Sequence, residues 1–326
     1  NGSNSGHVRV YEWNGSAWLQ KGSDIDGEAS GDRSGQSVSI SSDGSIVAIG
    51  ADYNDGNGSN SGHVRVYEWN GSAWVQRGID IDGEASFDYS GTSVSLSSDG
   101  SIVAIGAGNN DGNGSNSGHV RVYEWNGLAW NKKGFDINGE AANDYSGYSL
   151  SLSSDGSIVA IGALNNDGNG SNSGHVRVYQ WYKGDLGFSF WKQLGGDIDG
   201  EISGDKSGSS VSLSSDGSVV AIGAPDNSDG LGRGHVRVYD WNGTIWSQVG
   251  SDLDGKWGVE FGTSVALNDD GKFISVGSPH FSKGLTEVFQ YVDGYWKNMA
   301  YLAGEGSFDY SGKVTAISGN GSIVVT

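Results

Sequence analysis

"GHVRVYEWNGSAW" occupies Gly62–Trp74, and nearly the same string starts at Gly6, Gly118, Gly174 and Gly234, with a degenerate copy at Gly284. The spacings are 56, 56, 56, 60 and 50 residues. A second string, "SSDGSIVAIGA", runs over 41–51 and returns at Ser97 and Ser153, then in weaker form from Ser214, Asn268 and Ser318. Six copies of a unit this long, each holding several strand-like runs, indicate a propeller or a solenoid. Within one unit, "SVSLSS" (93–98) turns at Asp99-Gly100 into "SIVAIGA", the expected chemistry of a tight hairpin. A polar loop (108–118) leads into "HVRVYEW", and Asn126-Gly127 turns that strand back toward Trp130. "DINGEAANDYSG" (136–147) carries the chain to the next unit.

Four antiparallel strands per unit and no helix-period segment describe an all-β protein built of propeller blades. In "HVRVYEW", Val8 and Val10 alternate with His7, Arg9, Tyr11 and Trp13, so one set faces each neighbouring blade. The chain enters the repeat at a third strand and leaves it after a second. Pairing of these N- and C-terminal strands would close a six-bladed ring and hide its sheet edges. The expectation is one β-propeller over 1–326, six units of about 50–60 residues, forming a piece of a larger protein in which a seventh blade stays open.

Composition supports a folded, turn-rich chain. Its 326 residues include 57 Gly and only 2 Pro, while 12 Trp, 14 Tyr and 9 Phe supply apolar surface. The formal charge of −20 disfavours nucleic acid and anionic membranes as partners. The absence of Cys removes disulfides, thiol catalysis and Cys-based zinc sites. No apolar run approaches the ~20 residues that would span a bilayer.

"FGTSVALNDDGKFISVGSP" (261–279) and "SGSSVSLSSDGSVVAIGAP" (207–225) resemble the FG-GAP repeat, the blade unit of integrin α-subunit propellers. Phe261-Gly262 supplies the "FG" and Gly223-Ala224-Pro225 the "GAP"; elsewhere Ser-Gly replaces Phe-Gly. Units ending in "GHVRVYEWNGSAWVQRG" look like the subclass found in large surface proteins of marine microbes. The resemblance implies an adhesion or interaction scaffold. Integrin-type blades carry a calcium loop in the first hairpin, but here that hairpin is "SSDGS" with one carboxylate, such as Asp43 or Asp99, so that site does not transfer.

The best cation candidate is the interblade loop "DIDGEASGD" (24–32), whose carboxylates Asp24, Asp26, Glu28 and Asp32 follow an order similar to a calcium loop. The set returns as Asp80, Asp82, Glu84 and Asp88, and as Asp197, Asp199, Glu201 and Asp205. The competing reading is that Asp32 and its equivalents accept hydrogen bonds from turn amides. The loop at 54–62 holds one charge, Asp55, and reads as a solvated turn; Asn-Gly-Ser/Thr triplets read as hairpin chemistry or glycosylation acceptors.

His7, His63, His119, His175 and His235 are equivalent by repeat, which fits structural posts better than a catalyst. His280 stands outside the pattern without a recognisable motif. Catalytic residues are therefore expected to be absent. The long hairpin at 181–191 brings Tyr182, Phe188 and Phe190 outward, and the fifth unit departs from the repeat at Trp257; these four are the expected partner-binding residues.

The function expected is a non-enzymatic extracellular or cell-surface module that binds a protein or a glycan on a cell surface or in the matrix, with calcium as the candidate cofactor. The alternative is a lectin-like glycan-binding propeller. An enzyme would require an asymmetric polar cluster in the central channel, against which the near-identical "SVSLSS" strands argue.

Overall fold

The computed structural model describes residues 2–184, 187–226, 232–256, 260–306 and 309–326. They are all-β, with no helix among the described residues. The first full blade is the meander Ser37–Ile40, Ile46–Ala51, His63–Trp69 and Trp74–Gln76, with the short strand Ile81–Asp82 added to its third strand. The blades beginning at Ser93, Ser146 and Ser210 repeat this order, and the one beginning at Ser264 keeps the four-stranded meander. The register recurs too: Ile46↔Glu68 and Ala51↔His63 in the first full blade match Ile102↔Glu124 and Ala107↔His119 in the second.

The alternation in "SVSL" has two different addressees. Serines of each first strand face the next blade: Ser39 Oγ accepts from the Leu96 amide at 2.9 Å, and Ser37 Oγ donates to the Gly91 carbonyl at 2.7 Å. The same pair of bonds runs from Ser95 and Ser93, from Ser151 and Ser149, and from Ser212 and Ser210. The apolar residues face the previous blade, where Val94 and Leu96 meet Ile46, Ala48, Val64 and Val66. Core is thus a series of layers between blades, not a single centre. Each buried Val, Leu or Ile contributes about 1.5–3 kcal/mol.

The outer rim is fastened by the "W…W" of the repeated string. Trp69 and Trp74 pack with ring centroids 5.4 Å apart, and Trp74 Nε1 donates to the Lys21 carbonyl of the preceding unit at 2.7 Å. Trp130, Trp191, Trp246 and Trp296 do the same to Arg77, Lys133, Leu194 and Val249. Gly50 closes the second strand because no larger residue fits: a Cβ there would lie 2.2 Å from the Gly91 carbonyl oxygen of the next blade.

The pairing expected to close the ring is not formed among the described residues. The first segments remain separate two-stranded sheets (His7–Val8 with Ile25–Asp26, Tyr11–Trp13 with Trp18–Gln20), as does Ala316–Ile317 with Val324–Val325. The C-terminal hairpin is tied back to the fifth full blade, with Thr315 Oγ1 donating to Ser275 Oγ at 3.0 Å and Thr326 bonded to Thr286.

The serine stitches give a direct test. Ser95→Ala removes the only side-chain acceptor of the part-buried Leu152 amide and is expected to cost about 1–2 kcal/mol in urea unfolding. Ser42→Ala, at an exposed hairpin bond, is expected to change the same midpoint by less than about 0.5 kcal/mol.

Candidate functional site

The meander puts two variable positions of every unit at the same end of the axis: the turn before the first strand and the loop after the second. Arg33, Tyr89, Tyr145, Lys206, Glu260 and Tyr310 hold the turn position, each with φ between 51° and 57°. Each carbonyl there accepts the amide three residues on, as Arg33 does from Gln36. The loop position is Tyr53, Asn109, Asn165, Asp226 and His280 in the five full blades. Backbone geometry is common to all copies while the side chains differ. The result is an asymmetric polar set of side chains on a repeated scaffold.

A cavity of about 530 Å³ opens between the first three full blades, lined among others by Arg33, Asp52, Tyr53, Tyr89, Tyr145 and Tyr148. The Arg33 guanidinium lies 3.7 Å from the centre of the Tyr53 ring, and Tyr89 meets Tyr53 edge-on at 5.0 Å. Asp52 is buried, and its Oδ1 has no hydrogen-bond partner among the described residues. Burial pushes its carboxyl up to about 6, with the Arg33 charge opposing the rise. A buried, underbonded carboxylate lining a cavity marks this as the candidate site among the described residues. In another sector Glu260 Oε2 lies 2.7 Å from His280 Nδ1, and the His280 ring packs edge-on against Tyr310. Lys206 is ion-paired with Asp226 between them.

The interblade carboxylates do not gather as a calcium loop would require. Asp24 is taken by Arg9 at 2.9 Å and by Gln20 at 2.7 Å. Asp26 and Asp82 offer their backbone carbonyls to Arg65 and Arg121, as Asp199 does to Arg237. Asp32, Asp88 and Asp205 accept the turn amides of Ala29, Ala85 and Ile202. Glu28, Glu84 and Glu201 reach across to the arginine of the following blade, at 3.4 to 3.7 Å. Asp80 and Asp197 accept from Gln76 and Gln193. Among the described residues the acidic groups that converge come from different units: Glu28 with His63 and Asp80, Glu84 with His119 and Asp136, Glu140 with His175 and Asp197, Glu201 with His235 and Asp252. Tyr182 and Phe190 are cross-strand partners with rings 5.5 Å apart, and Phe188 is exposed beside them. Trp257 lies outside the described residues.

The sequence profile of the FG-GAP repeat matches residues 24–67 and 138–179. The chain carries FG-GAP repeats. The match is to the repeat itself and does not extend to the integrin-like subclass. No curated protein matches the sequence. Among solved structures, a protein assigned as a 6-phosphogluconolactonase from Bacteroides uniformis is 12% identical, with a TM-score of 0.62 over 95% of this FG-GAP chain and 85% of that one. The periplasmic gluconolactonase of Pseudomonas aeruginosa is 15% identical, with a TM-score of 0.59 over 97% and 83%. A functionally unknown protein from Desulfotomaculum acetoxidans gives 13% and 0.60 over 98% and 84%. At this identity the likeness shows the fold, a propeller.

It also corrects two expectations. A non-enzymatic adhesion scaffold, with the glycan-reading alternative, was expected because no asymmetric polar cluster was visible and the repeat family suggested display. The propellers that superpose on this chain include proteins named as lactonases, and an asymmetric polar cluster, taken to be absent when catalysis was excluded, lines a cavity among the described residues. The exclusion of catalysis is withdrawn. The identical inner strands misled because they carry only the blade-to-blade bonds. A column-by-column comparison of the repeats at 33, 52 and 53 and their equivalents was the signal available.

Asp52 yields a prediction with a definite sign. Its folded carboxyl at about 6 exceeds the ordinary 3.8. The stability it contributes is therefore complete below pH 3.8 and is lost as pH rises through 6. Asp52→Asn, which does not titrate, is expected to melt near the unaltered protein at pH 3.5 and above it at pH 8. Equal melting temperatures at pH 8 would contradict the assignment.

Proposed function

We propose that this FG-GAP propeller is a hydrolase of neutral sugar lactones, with its reaction centre at the mouth cavity. The observation that carries the reading is Asp52, a buried carboxylate with an unpaired oxygen, in a cavity lined also by an arginine and four tyrosines. The proteins named as lactonases supply the substrate class, and the −20 charge favours a neutral ring over a phosphorylated one. Asp52 takes a proton from water as that water's oxygen bonds to the lactone carbonyl carbon. Arg33 faces the oxyanion that forms. Collapse breaks the bond to the ring oxygen, which receives the proton back from Asp52, and the product is the open hydroxy acid. Tyr53, Tyr89 and Tyr145 offer apolar faces and hydroxyls to the sugar.

The test is continuous titration of acid released from glucono-δ-lactone, measured against the spontaneous rate. The expected result is acceleration whose kcat/KM rises with pH through about 6 and falls about 10²–10⁴-fold in Asp52→Asn. Rates equal to background, or unchanged by that substitution, would defeat the proposal.

We also propose six blade positions, with the terminal half-blades completing one another. Val38 and Ile40 are 54% and 50% exposed where their equivalents Val94 and Leu96 are 9% and 8%, and Ile323 and Val325 are exposed on the other side. Both edges carry apolar residues that a completed blade would cover. In the register of the full blades Val325 would lie opposite Val10, as Ala48 lies opposite Val66. A Val10→Cys, Val325→Cys double variant is expected to form an intramolecular disulfide under mild oxidation. A persistently free thiol pair would argue for an open ring.

A further inference from the structure

The groups Glu140–His175–Asp197 and their repeats are the second place where chemistry converges, and they lie between blades, away from the mouth. His175 stands on the third strand of its blade, Glu140 on the loop that enters that blade before its first strand, and Asp197 on the loop that leaves it after its fourth. His175 is 1% exposed, and its Nδ1 has no hydrogen-bond partner among the described residues. That nitrogen faces Glu140 Oε2 and Asp197 Oδ2, each at 3.9 Å. This is too long for a hydrogen bond and leaves a gap bounded by one nitrogen and two carboxylate oxygens.

The carboxylates are held with those oxygens turned inward. Asp197 Oδ1 accepts from Gln193 Nε2 at 2.7 Å, and Glu140 Oε1 is ion-paired with Arg177 at 3.5 Å, so Oδ2 and Oε2 remain for the gap. Burial, helped by the Arg177 charge, lowers the His175 imidazole to about 4, so at neutral pH the ring is uncharged and can present a lone pair. Glu28–His63–Asp80 repeats the geometry at 3.9 and 3.8 Å, with Gln76 holding Asp80. Glu201–His235–Asp252 repeats the grouping, with Gln248 holding Asp252. In Glu84–His119–Asp136 the glutamine is replaced by Lys132, which ion-pairs with Asp136.

We propose that these interblade clusters are divalent transition-metal sites, best suited to Zn²⁺, with one His nitrogen and two carboxylate oxygens as ligands and a fourth position open to water. Bond lengths of about 2.0–2.2 Å place tetrahedral ligands about 3.3–3.5 Å apart, so each carboxylate oxygen moves roughly half an ångström closer to the histidine nitrogen on binding. Ca²⁺ is disfavoured because it takes six to eight oxygen ligands and no imidazole. The Lys132 cluster is the weak member, because an ammonium already occupies the carboxylate. A bound metal would clamp the loops on either side of one blade to its third strand, tying three units together.

The experiment is calorimetric titration of ZnCl₂ into the chelator-treated full chain, with CaCl₂ as the control metal. One Zn²⁺ is expected for each of the three glutamine-supported clusters, with no heat from Ca²⁺. Asp197→Asn, on an exposed loop, is expected to remove one equivalent while the circular dichroism and melting of the metal-free protein stay unchanged. Lys132→Gln is expected to add one. Absence of Zn²⁺ binding, or a stoichiometry that neither substitution changes, would overturn the proposal in favour of ordered water or scattered surface carboxylates. These readouts do not depend on lactone hydrolysis, so this proposal and the preceding one can fail separately.

Discussion

The blades beginning at Ser93, Ser146 and Ser210 depend on one constraint: the innermost strand of each must satisfy two neighbours at once with opposite chemistries. The serine face donates to a carbonyl and accepts an amide of the next blade, while the Val/Leu face enters the apolar layer of the previous one. A one-residue slip would exchange the faces, burying hydroxyls in the layer and setting methyl groups against backbone polar atoms. The same reasoning explains why the strands are nearly identical from unit to unit. Each must be compatible with a copy of itself, so a substitution in one strand is felt at two interfaces. Gly50 and its equivalents show the tolerance, since a single Cβ would collide with the neighbouring turn.

That constraint determines where variation is permitted. The turn residue before the first strand and the residue after the second point out of the layers, at the mouth, and bear little on blade stacking. Arg33, Tyr89, Tyr145, Lys206, Glu260 and Tyr310 share a backbone conformation and almost nothing else. A row of near-identical blades thereby acquires an asymmetric set of loops at little cost to its stability. The left-handed backbone at these six non-glycine positions is a modest local strain, offset by the turn bond each makes to the residue three places on.

The architecture was largely legible in the residues. Asp-Gly and Asn-Gly turns, period-2 strands and the spacing of the repeats led to four-stranded antiparallel meanders because those signals are local and occur in several copies. What escaped was everything carried between units. Arg65 finds the Asp26 carbonyl and Glu28, and Trp74 finds Lys21, across separations that no single-unit motif spans. For the same reason the acidic loop read as a calcium chain along one segment, whereas folding sends Asp32 to cap its own turn and Glu28 to the next blade. The mouth cluster was hidden differently: its members are spread through the chain, and only the stacking of successive blades brings the column together. His280 looked isolated in sequence, yet it sits beside Glu260 and Tyr310 because all three occupy mouth positions.

Under the proposed reaction, the electrostatics of the whole chain acquire a direction. A neutral lactone approaches without a penalty from the −20 charge, and hydrolysis converts it into an anion inside that field. The product is then repelled by the charge that left the substrate indifferent, which hastens its release. Burial disfavours the ionised form of Asp52, so the group that must accept the proton is also the one the fold stabilises poorly as a carboxylate. The Arg33 charge and backbone hydrogen bonds oppose that rise, and a carboxyl at about 6 is ionised near neutral pH yet more basic than an ordinary carboxylate. Moving Arg33 into a tight ion pair with Asp52 would lower the pKa further and weaken the base. Its stacking on Tyr53, at 3.7 Å, keeps the guanidinium close without that quenching.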